Sequence, residues 1–304
     1  MISNQLSLVR RELWEHRAIY IAPLVIALVM SLMSLTGQVT ISAFGHEVDL
    51  AIIGASSAGE IERQAAITAI LMIFTSIFAL GAWILMIFYS LDALYAERRD
   101  KSILFWRSLP VTDAETVISK LLTAVLVIPL TAFAFVVVTH LLNLILWSIW
   151  LSIQGGDAGH ILWSAAPLFD NWAATLIIAV AMPLWLSPLI GWFLFVSAFT
   201  KRSPLLIAFL PMFVVPMLEK LVSSTSLFWD AIFARSVRPP LFKGIDVFRI
   251  FDEDNFQIAA DTASLLAKID LARFLSSPSM WLGLVVCGLF TTAAIYIRRY
   301  RDES

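Results

Sequence analysis

The sequence predicts an all-α integral membrane protein with six transmembrane helices and both termini in the cytoplasm. Of its 304 residues, 60% are hydrophobic and 14% are charged, and the mean hydropathy is +0.85. In a soluble domain about a quarter of the residues are charged. Several apolar stretches are long enough to cross a hydrocarbon core of about 30 Å. The net charge of -2 gives no basic surface of the kind that nucleic-acid-binding proteins use, so no nucleic-acid partner is expected.

Residues 1–17 are predicted to form an amphipathic helix that lies at the membrane interface. Trp14 supports this position, because indole rings collect at the depth of the lipid head groups. A plain polar lead-in to the first span is the alternative, since the apolar pattern is short. The apolar residues that repeat at helical spacing are Ile2, Leu6, Val9 and Leu13.

Residues 18–304 are predicted to form one domain of six spans. The largest polar segment, 219–278, precedes the last span, and its periodicity predicts an extended, partly helical outer segment. Prolines in the fourth and fifth spans predict bends, which act either as hinges or as static kinks. The spans cover about 18–36, 65–90, 115–153, 172–199, 203–217 and 280–297.

Lysine and arginine residues predict the orientation of the spans. They flank the first span, the link between the second and third, the link between the fourth and fifth, and the end of the last span. The short loops on the other side hold only Arg63. Because basic residues beside short loops stay in the cytoplasm, both termini are placed there, and the number of spans is even.

The stretch 92–115 between the second and third spans combines charges with an apolar run. Pro110 would end a short helix, and Thr112 with Glu115 fits a capping box that starts the next one. A helix with an apolar face and charged flanks at the membrane surface is typical of a docking element. On periodicity and charge alone, an ordinary basic loop with interfacial aromatic residues is an equal alternative.

A longer motif runs through this stretch. It comprises the charged cluster Glu97 to Lys101, then Ser102, the apolar run Ile103 to Trp106, the group Ser108-Leu109-Pro110-Val111, and Lys120 at the start of the third span. In these residues and in its topology the sequence resembles the ABC-2 type transporter permeases, the membrane subunits of ATP-driven bacterial exporters. The detailed match covers about thirty residues, and the outline covers the whole chain.

The resemblance implies a multi-pass subunit of the bacterial inner membrane that is not itself an enzyme. Its partners would be two ATP-binding cassette subunits, a second permease subunit in a homodimer or heterodimer, and membrane lipid. ATP and Mg would be bound by the partner ATPase, with no cofactor on this chain. The residues implied to contact the ATPase are Glu97, Arg98, Arg99, Asp100, Lys101, Ile103, Phe105, Trp106, Arg107, Leu109 and Pro110.

One property of the sequence agrees with this reading, and one departs from the family pattern. No G-x-x-x-x-G-K-[ST] stretch occurs among the twelve glycines, so the usual phosphate-binding loop is missing from this chain. The outer segment 219–278 is longer and more charged than the short re-entrant hairpin common in the family. Its role as a lid or as a partner site is left open.

Other functions were weighed against the permease. A membrane assembly or scaffold component, whose outer segment binds a cell-envelope partner, shares the topology. An intramembrane hydrolase lacks a paired His or Glu-Glu constellation in the spans. His140 and Asn143 lie in the outer half of the third span, where an ionisable group is a functional-site candidate. Interhelical hydrogen bonding is the role expected for both, and no metal site is predicted.

Overall fold

The computed structural model describes residues 2–35, 38–43, 46–51, 60–101, 111–243 and 264–300. Helices dominate these residues, as the sequence predicts. In chain order they are α1 (Ile2–Glu15), α2 (Ala18–Ser34), α3 (Glu60–Arg99), α4 (Asp113–Leu122), α5 (Ile128–Ile153), α6 (Leu168–Trp185), α7 (Ser187–Phe199), α8 (Pro204–Ser223), α9 (Leu227–Val237), α10 (Leu271–Ser276) and α11 (Pro278–Tyr300). Short π-helical segments cover Thr123–Val127 and Gly159–Trp163, and a 3-10 turn covers Leu266–Lys268.

Among the described residues, five helical stretches are long and apolar enough to cross a membrane, and one of them joins α4, the following π-helical segment and α5. The count becomes six if α1 and α2, which meet at an angle of 55°, are taken as one bent span. The chain is therefore compatible with a multi-pass membrane protein. The five are Ala66–Arg99, Asp113–Ile153, Leu168–Trp185, Pro204–Ser223 and Pro278–Tyr300.

The predicted fourth span, 172–199, is divided in the structure. It consists of α6 and α7, which are separated at Leu186. Pro188 lies in the first turn of α7, where its missing N–H has no helical partner to lose. The prolines of this span therefore coincide with a break between two helices.

The predicted polar loop after the first span contains a two-stranded antiparallel hairpin. Strand β1 (Gln38–Ala43) pairs with β2 (His46–Ala51), with Val39 opposite Leu50 and Ile41 opposite Val48. The β-branched residues at these positions favour a strand. In this hairpin the described residues depart from the predicted all-α fold.

The core lies between helices that pack closely side by side. Helix α7 packs against both α11 and α3, and α5 packs against α2 and α3. Gly191 permits the closest approach, because a Cβ atom at this position would lie 3.0 Å from Cα of Cys287 on α11. Small residues at helix crossings commonly serve this purpose in membranes.

Helix α1 is amphipathic, and it also buries a face within the protein that the sequence did not predict. Leu8 and Glu12 are buried, whereas Leu6 and Trp14 are 66% and 69% exposed. The exposed residues are available to the membrane interface. The buried face packs against α4 and brings a carboxylate into the bundle.

Part of the predicted outer segment is helical, as α9 and α10 show. The segment closes on itself where Asp270 donates a backbone hydrogen bond to Leu241 and Lys243 donates one to Lys268. Asp170 at the start of α6 accepts hydrogen bonds from the backbone of Leu265 and Leu266. The described part of the segment is therefore fixed to one end of the bundle.

Candidate functional site

An ion-pair network joins four helices at one end of the bundle. Helix α1 supplies Glu12, α3 supplies Glu97, α4 supplies Lys120 and α11 supplies Arg298. These four side chains are between 1% and 5% exposed. The ends of helices that are far apart in sequence are thus held together by buried charges.

Lys120 is at the centre of the network. Its Nζ atom lies 2.9 Å and 3.1 Å from the two carboxylate oxygens of Glu12 and 3.0 Å from Oε1 of Glu97. The ammonium group therefore pairs with two carboxylates from different helices. The hydroxyl of Tyr89 donates to Glu12 at 2.8 Å and uses a further acceptor position of that carboxylate.

Arg298 and Arg11 complete the network from the two ends of the chain. The guanidinium of Arg298 pairs with Glu97 and, at 2.9 Å, with Asp113. Arg11 reaches Oε1 of Glu97 at 2.8 Å. Since α1 and the end of α11 both contact the end of α3, the described N- and C-terminal helices meet at the same end of the bundle.

The network is balanced in charge and rich in partners. Six of its side chains, each at most 25% exposed, comprise three acidic and three basic groups, so the net charge that they remove from water is zero. Glu15, which is 38% exposed, pairs with Arg11 at the edge of the network. Burying a single charge is costly unless it is paired and hydrogen bonded, and removing one partner from a buried pair typically costs about 3–5 kcal/mol. We therefore expect these helix ends to move as one unit. The six side chains are Glu12, Glu97, Asp113, Arg11, Lys120 and Arg298.

Local sequence explains how α4 presents its charged residues. Thr112 and Glu115 form the predicted capping box, in which the Thr112 side chain accepts from the Glu115 backbone and Glu115 accepts from the Thr112 backbone. This cap fixes the first turn of the helix. Lys120, two turns further on, then points into the bundle, while Asp113 in the first turn faces Arg298.

The predicted ATPase-contact residues divide into two groups. Glu97 is buried in the network, and Arg98 donates to the backbone carbonyls of Ser197 and Thr200 at the end of α7, the latter at 2.8 Å. Arg99 and Asp100 are 54% and 59% exposed and pair with each other.

The remainder of that predicted surface starts at the end of α3. Lys101 is exposed and has a left-handed backbone, with φ of 55°. The other predicted residues lie outside the described residues. They are Ile103, Phe105, Trp106, Arg107, Leu109 and Pro110.

The sequence pattern does not identify Glu12 and Arg298 as members of a site. Glu12 lies one turn after the buried Leu8. Lys120 is the sequence feature that could have predicted a buried ion pair, because a lysine at the start of an apolar helix requires an acidic partner. The sequence does not say which distant acidic residue is that partner.

His140 and Asn143 make interhelical hydrogen bonds near the middle of α5. Asn143 contacts Ser31 and Ser34 of α2. Trp172 donates to Nδ1 of His140 at 3.3 Å, and Nε2 lies 3.1 Å from the carbonyl of Leu71. Because the indole N–H only donates, Nδ1 is unprotonated and the proton is on Nε2. This polar layer ties α5 to α2, α3 and α6.

One group of side chains at the network end has the composition of a metal site. Among the described residues, ligand atoms of Glu12, Glu15 and His16 lie within 4.8 Å of one another. Glu12 is already paired with Lys120, and this ammonium group opposes a second cation. Burial lowers the pKa of His16. We therefore assign the two carboxylates to the ion-pair network, with His16 as an uncharged neighbour.

No family model matches the chain, and comparisons with curated proteins and with solved structures give no match.

Proposed function

We propose that the chain is the permease subunit of an ABC transporter. In this proposal, six spans with cytoplasmic termini cross the bacterial inner membrane, and a second permease subunit completes the pathway. Two separate ATP-binding subunits hydrolyse ATP and drive export of a substrate. The single observation that carries the proposal is the position of the buried ion-pair network on both sides of the segment 102–110.

The network supplies what a coupling segment requires. Glu97 lies just before the segment and Lys120 lies just after it, and the two are 3.0 Å apart. A force applied to the segment would therefore act on α3 and α4 together. Arg298 and Glu12 extend the same connection to α11 and α1.

The two groups of predicted contact residues then have different roles. Glu97 and Arg98 have partners inside the bundle and hold the base of the segment. Arg99, Asp100 and Lys101 are exposed and would meet the ATPase with the residues 103–110. Aromatic and arginine side chains dominate the energetics of compact interfaces, so Trp106 and Arg107 are the proposed anchors.

The test is assembly and ATPase activity with the segment altered. The tagged full chain is purified from its own membranes, a co-purified subunit with a phosphate-binding loop is identified, and the pair is reconstituted in nanodiscs. Trp106→Ala is expected to weaken capture by about tenfold or more, which corresponds to the 1.4 kcal/mol or more expected of an anchor residue. The folding of the permease itself should be unchanged in the Trp106→Ala variant.

Trp229→Ala is the matched control. Trp229 is 45% exposed on α9, in the predicted outer segment, so the same side chain is removed away from the proposed interface. Capture and ATPase activity should remain at wild-type levels in this control. Retention of both by the Trp106→Ala variant, or the absence of any co-purified ATPase, would remove the proposal.

The described part of the outer segment supports a second candidate, a scaffold that binds an envelope partner. Leu221 and Val222 at the end of α8 are 77% and 84% exposed, and Leu227 at the start of α9 is 72% exposed. If the chain is a scaffold, replacing these three residues with charged ones should abolish binding of the envelope partner. Capture of an ATPase should stay intact. In a permease, Trp106→Ala has the larger effect.

A further inference from the structure

A cavity of about 350 Å³ lies beside the ion-pair network. It is bounded by the junction of α1 and α2, by the last third of α3 and by the first turn of α8. Phe88 and Leu205 at its walls are 57% and 45% exposed, so the cavity is open to the side of the bundle. Its size is at the small end of the range for ligand pockets, roughly 300–1,000 Å³.

The wall formed by α3 changes from apolar to polar along its length. Leu85, Phe88, Asp92 and Tyr95 all line the cavity, and their spacing of three and four residues places them on one stripe of the helix. The stripe is about 15 Å long at 1.5 Å per residue. Its apolar part lies toward the middle of the helix, and its carboxylate lies toward the network end.

Asp92 is a half-buried carboxylate. Within the described part of the chain, no hydrogen bond or ion pair reaches its carboxylate. The charge of Arg99, on the same helix, acts on Asp92 from a distance, but Arg99 itself pairs with Asp100 and lies over the ring of Tyr95. A carboxylate partly removed from water is stabilised by a cation.

Aromatic rings line the same cavity as this carboxylate. Tyr89 and Tyr95 line the cavity from α3, and His16 lines it from the helix junction. His16 contacts Tyr89 edge to face, with ring centroids 4.9 Å apart, which fixes the orientation of both rings. Aromatic faces combined with a carboxylate are a recurring way to bind ammonium groups.

We propose that this cavity binds an amphiphile with an ammonium head group. The head lies at Asp92 among the aromatic rings, and the tail lies along Leu85 and Phe88 toward the apolar part of the stripe. The geometry of the cavity is the basis for proposing a binding site. The further idea that the bound amphiphile is a transported cargo rests on the proposed permease function.

The test compares three probes that share a tail and differ in head-group charge. Octyltrimethylammonium, octyl glucoside and octyl sulfate are equilibrated with the full chain in phosphatidylglycerol nanodiscs, and empty nanodiscs correct for partition into lipid. We expect the cationic probe to bind about tenfold tighter than the neutral one, an effect of the size of one desolvated cation–π and carboxylate contact. The anionic probe should bind most weakly.

Asp92→Asn is expected to remove the preference for the cationic probe and to leave octyl glucoside unchanged. Glu15→Gln is the matched control, because Glu15 lies beside His16 but does not line the cavity. It removes the same charge at the same end of the bundle, so it reports any general effect of surface potential. The preference for the cation should survive in this control.

Two outcomes overturn the proposal: equal binding of the three probes, and an Asp92→Asn variant that keeps the cation preference. A repeat in nanodiscs that contain phosphatidylethanolamine distinguishes the source of the ammonium group. Loss of probe binding there assigns the site to a lipid head group, and unchanged binding assigns it to a small amphiphile. The assay uses no ATPase, so its failure is separate from failure of the coupling test.

Discussion

The Nζ atom of Lys120 lies 2.9 Å from a carboxylate oxygen of Glu12, and both side chains are only 1% exposed. We expect Lys120→Met to destabilise the fold by about 3–5 kcal/mol, because it leaves the carboxylates of Glu12 and Glu97 buried without their shared cation. Thermal unfolding of the purified chain in detergent measures the effect. Expression in membranes should fall in parallel.

A double substitution separates charge from shape at this position. Glu12→Gln in the Lys120→Met background removes the carboxylate that loses more, because Glu12 keeps only Arg11 as a fixed cation whereas Glu97 keeps Arg298 and Arg11. Part of the lost stability should therefore return. Lys220→Met, at an exposed position of α8, should have little effect. If the double variant unfolds at the same temperature as Lys120→Met alone, charge pairing is not the cause.

Adjacent arginines at the end of α3 should behave differently. Arg98→Gln loses charge-assisted hydrogen bonds to the carbonyls of Ser197 and Thr200, which are worth about 1.5–3 kcal/mol each. Arg99→Gln loses only an exposed pair with Asp100, and such surface pairs contribute little to stability because solvent screens them. Thermal unfolding should shift for the first variant only.

Capture of the ATP-binding subunit gives the complementary measurement. Under the permease proposal, Arg99→Gln weakens capture without altering the unfolding temperature, because its side chain is at the surface. Equal unfolding temperatures for the two variants would contradict the structural role of Arg98.

The parts of the fold that were predicted correctly are those that local chemistry specifies. Apolar length identified the spanning helices, and Thr112 with Glu115 identified the start of α4. The prolines of the fourth span predicted a bend, but they did not predict that the helix would break at Leu186. The hairpin formed by 38–43 and 46–51 was not predicted, because this stretch was interpreted as a polar loop from its charges. The buried position of Glu12 was not predicted either, because it depends on pairing with Lys120, which is distant in sequence.

The candidate site shows the same limit. The segment 92–115 was recognised from its charges and apolar run, which are adjacent in sequence. That Glu97 turns inward while Arg99 turns outward depends on helix packing, since the two residues lie two positions apart on α3. The counter-charges from α1 and α11 come from opposite ends of the chain, and charge patterns alone do not pair them.

His16 should titrate below its usual pKa of 6.5. Burial is the main cause and Lys120 lowers the pKa further, whereas the carboxylates of Glu12, Asp92 and Glu15 raise it. In the unfolded chain the imidazole binds a proton as the pH falls through 6.5, but the folded chain does so only at lower pH. The free energy of unfolding should therefore decrease as the pH falls below 6.5.

Ring-proton NMR of the full chain measures the titration, and His16→Gln identifies the signal. Glu12→Gln should lower the pKa of His16 further, because it removes the nearest opposing carboxylate. A His16 signal that titrates at or above 6.5 would contradict the desolvated environment.

Gly283 and Gly288 on α11 provide a matched pair for the docking of the outer helix α9. Arg235 of α9 donates to the carbonyls of Trp185 at 2.7 Å and Ser279 at 2.6 Å, and its guanidinium lies 4.0 Å from the centre of the Trp185 ring. A Cβ atom on Gly283 would overlap Nη2 of Arg235, whereas one on Gly288 meets no atom within 4 Å.

Gly283→Ala should therefore displace Arg235 and release α9, while Gly288→Ala should be neutral or stabilising by up to about 1 kcal/mol through helix propensity. Hydrogen exchange of residues 227–237 in nanodiscs measures the release, which should be large for the first variant and absent for the second. Arg235→Ala should reproduce the release without changing either glycine. Wild-type exchange rates in both Gly283→Ala and Arg235→Ala would show that these contacts do not hold α9 in place.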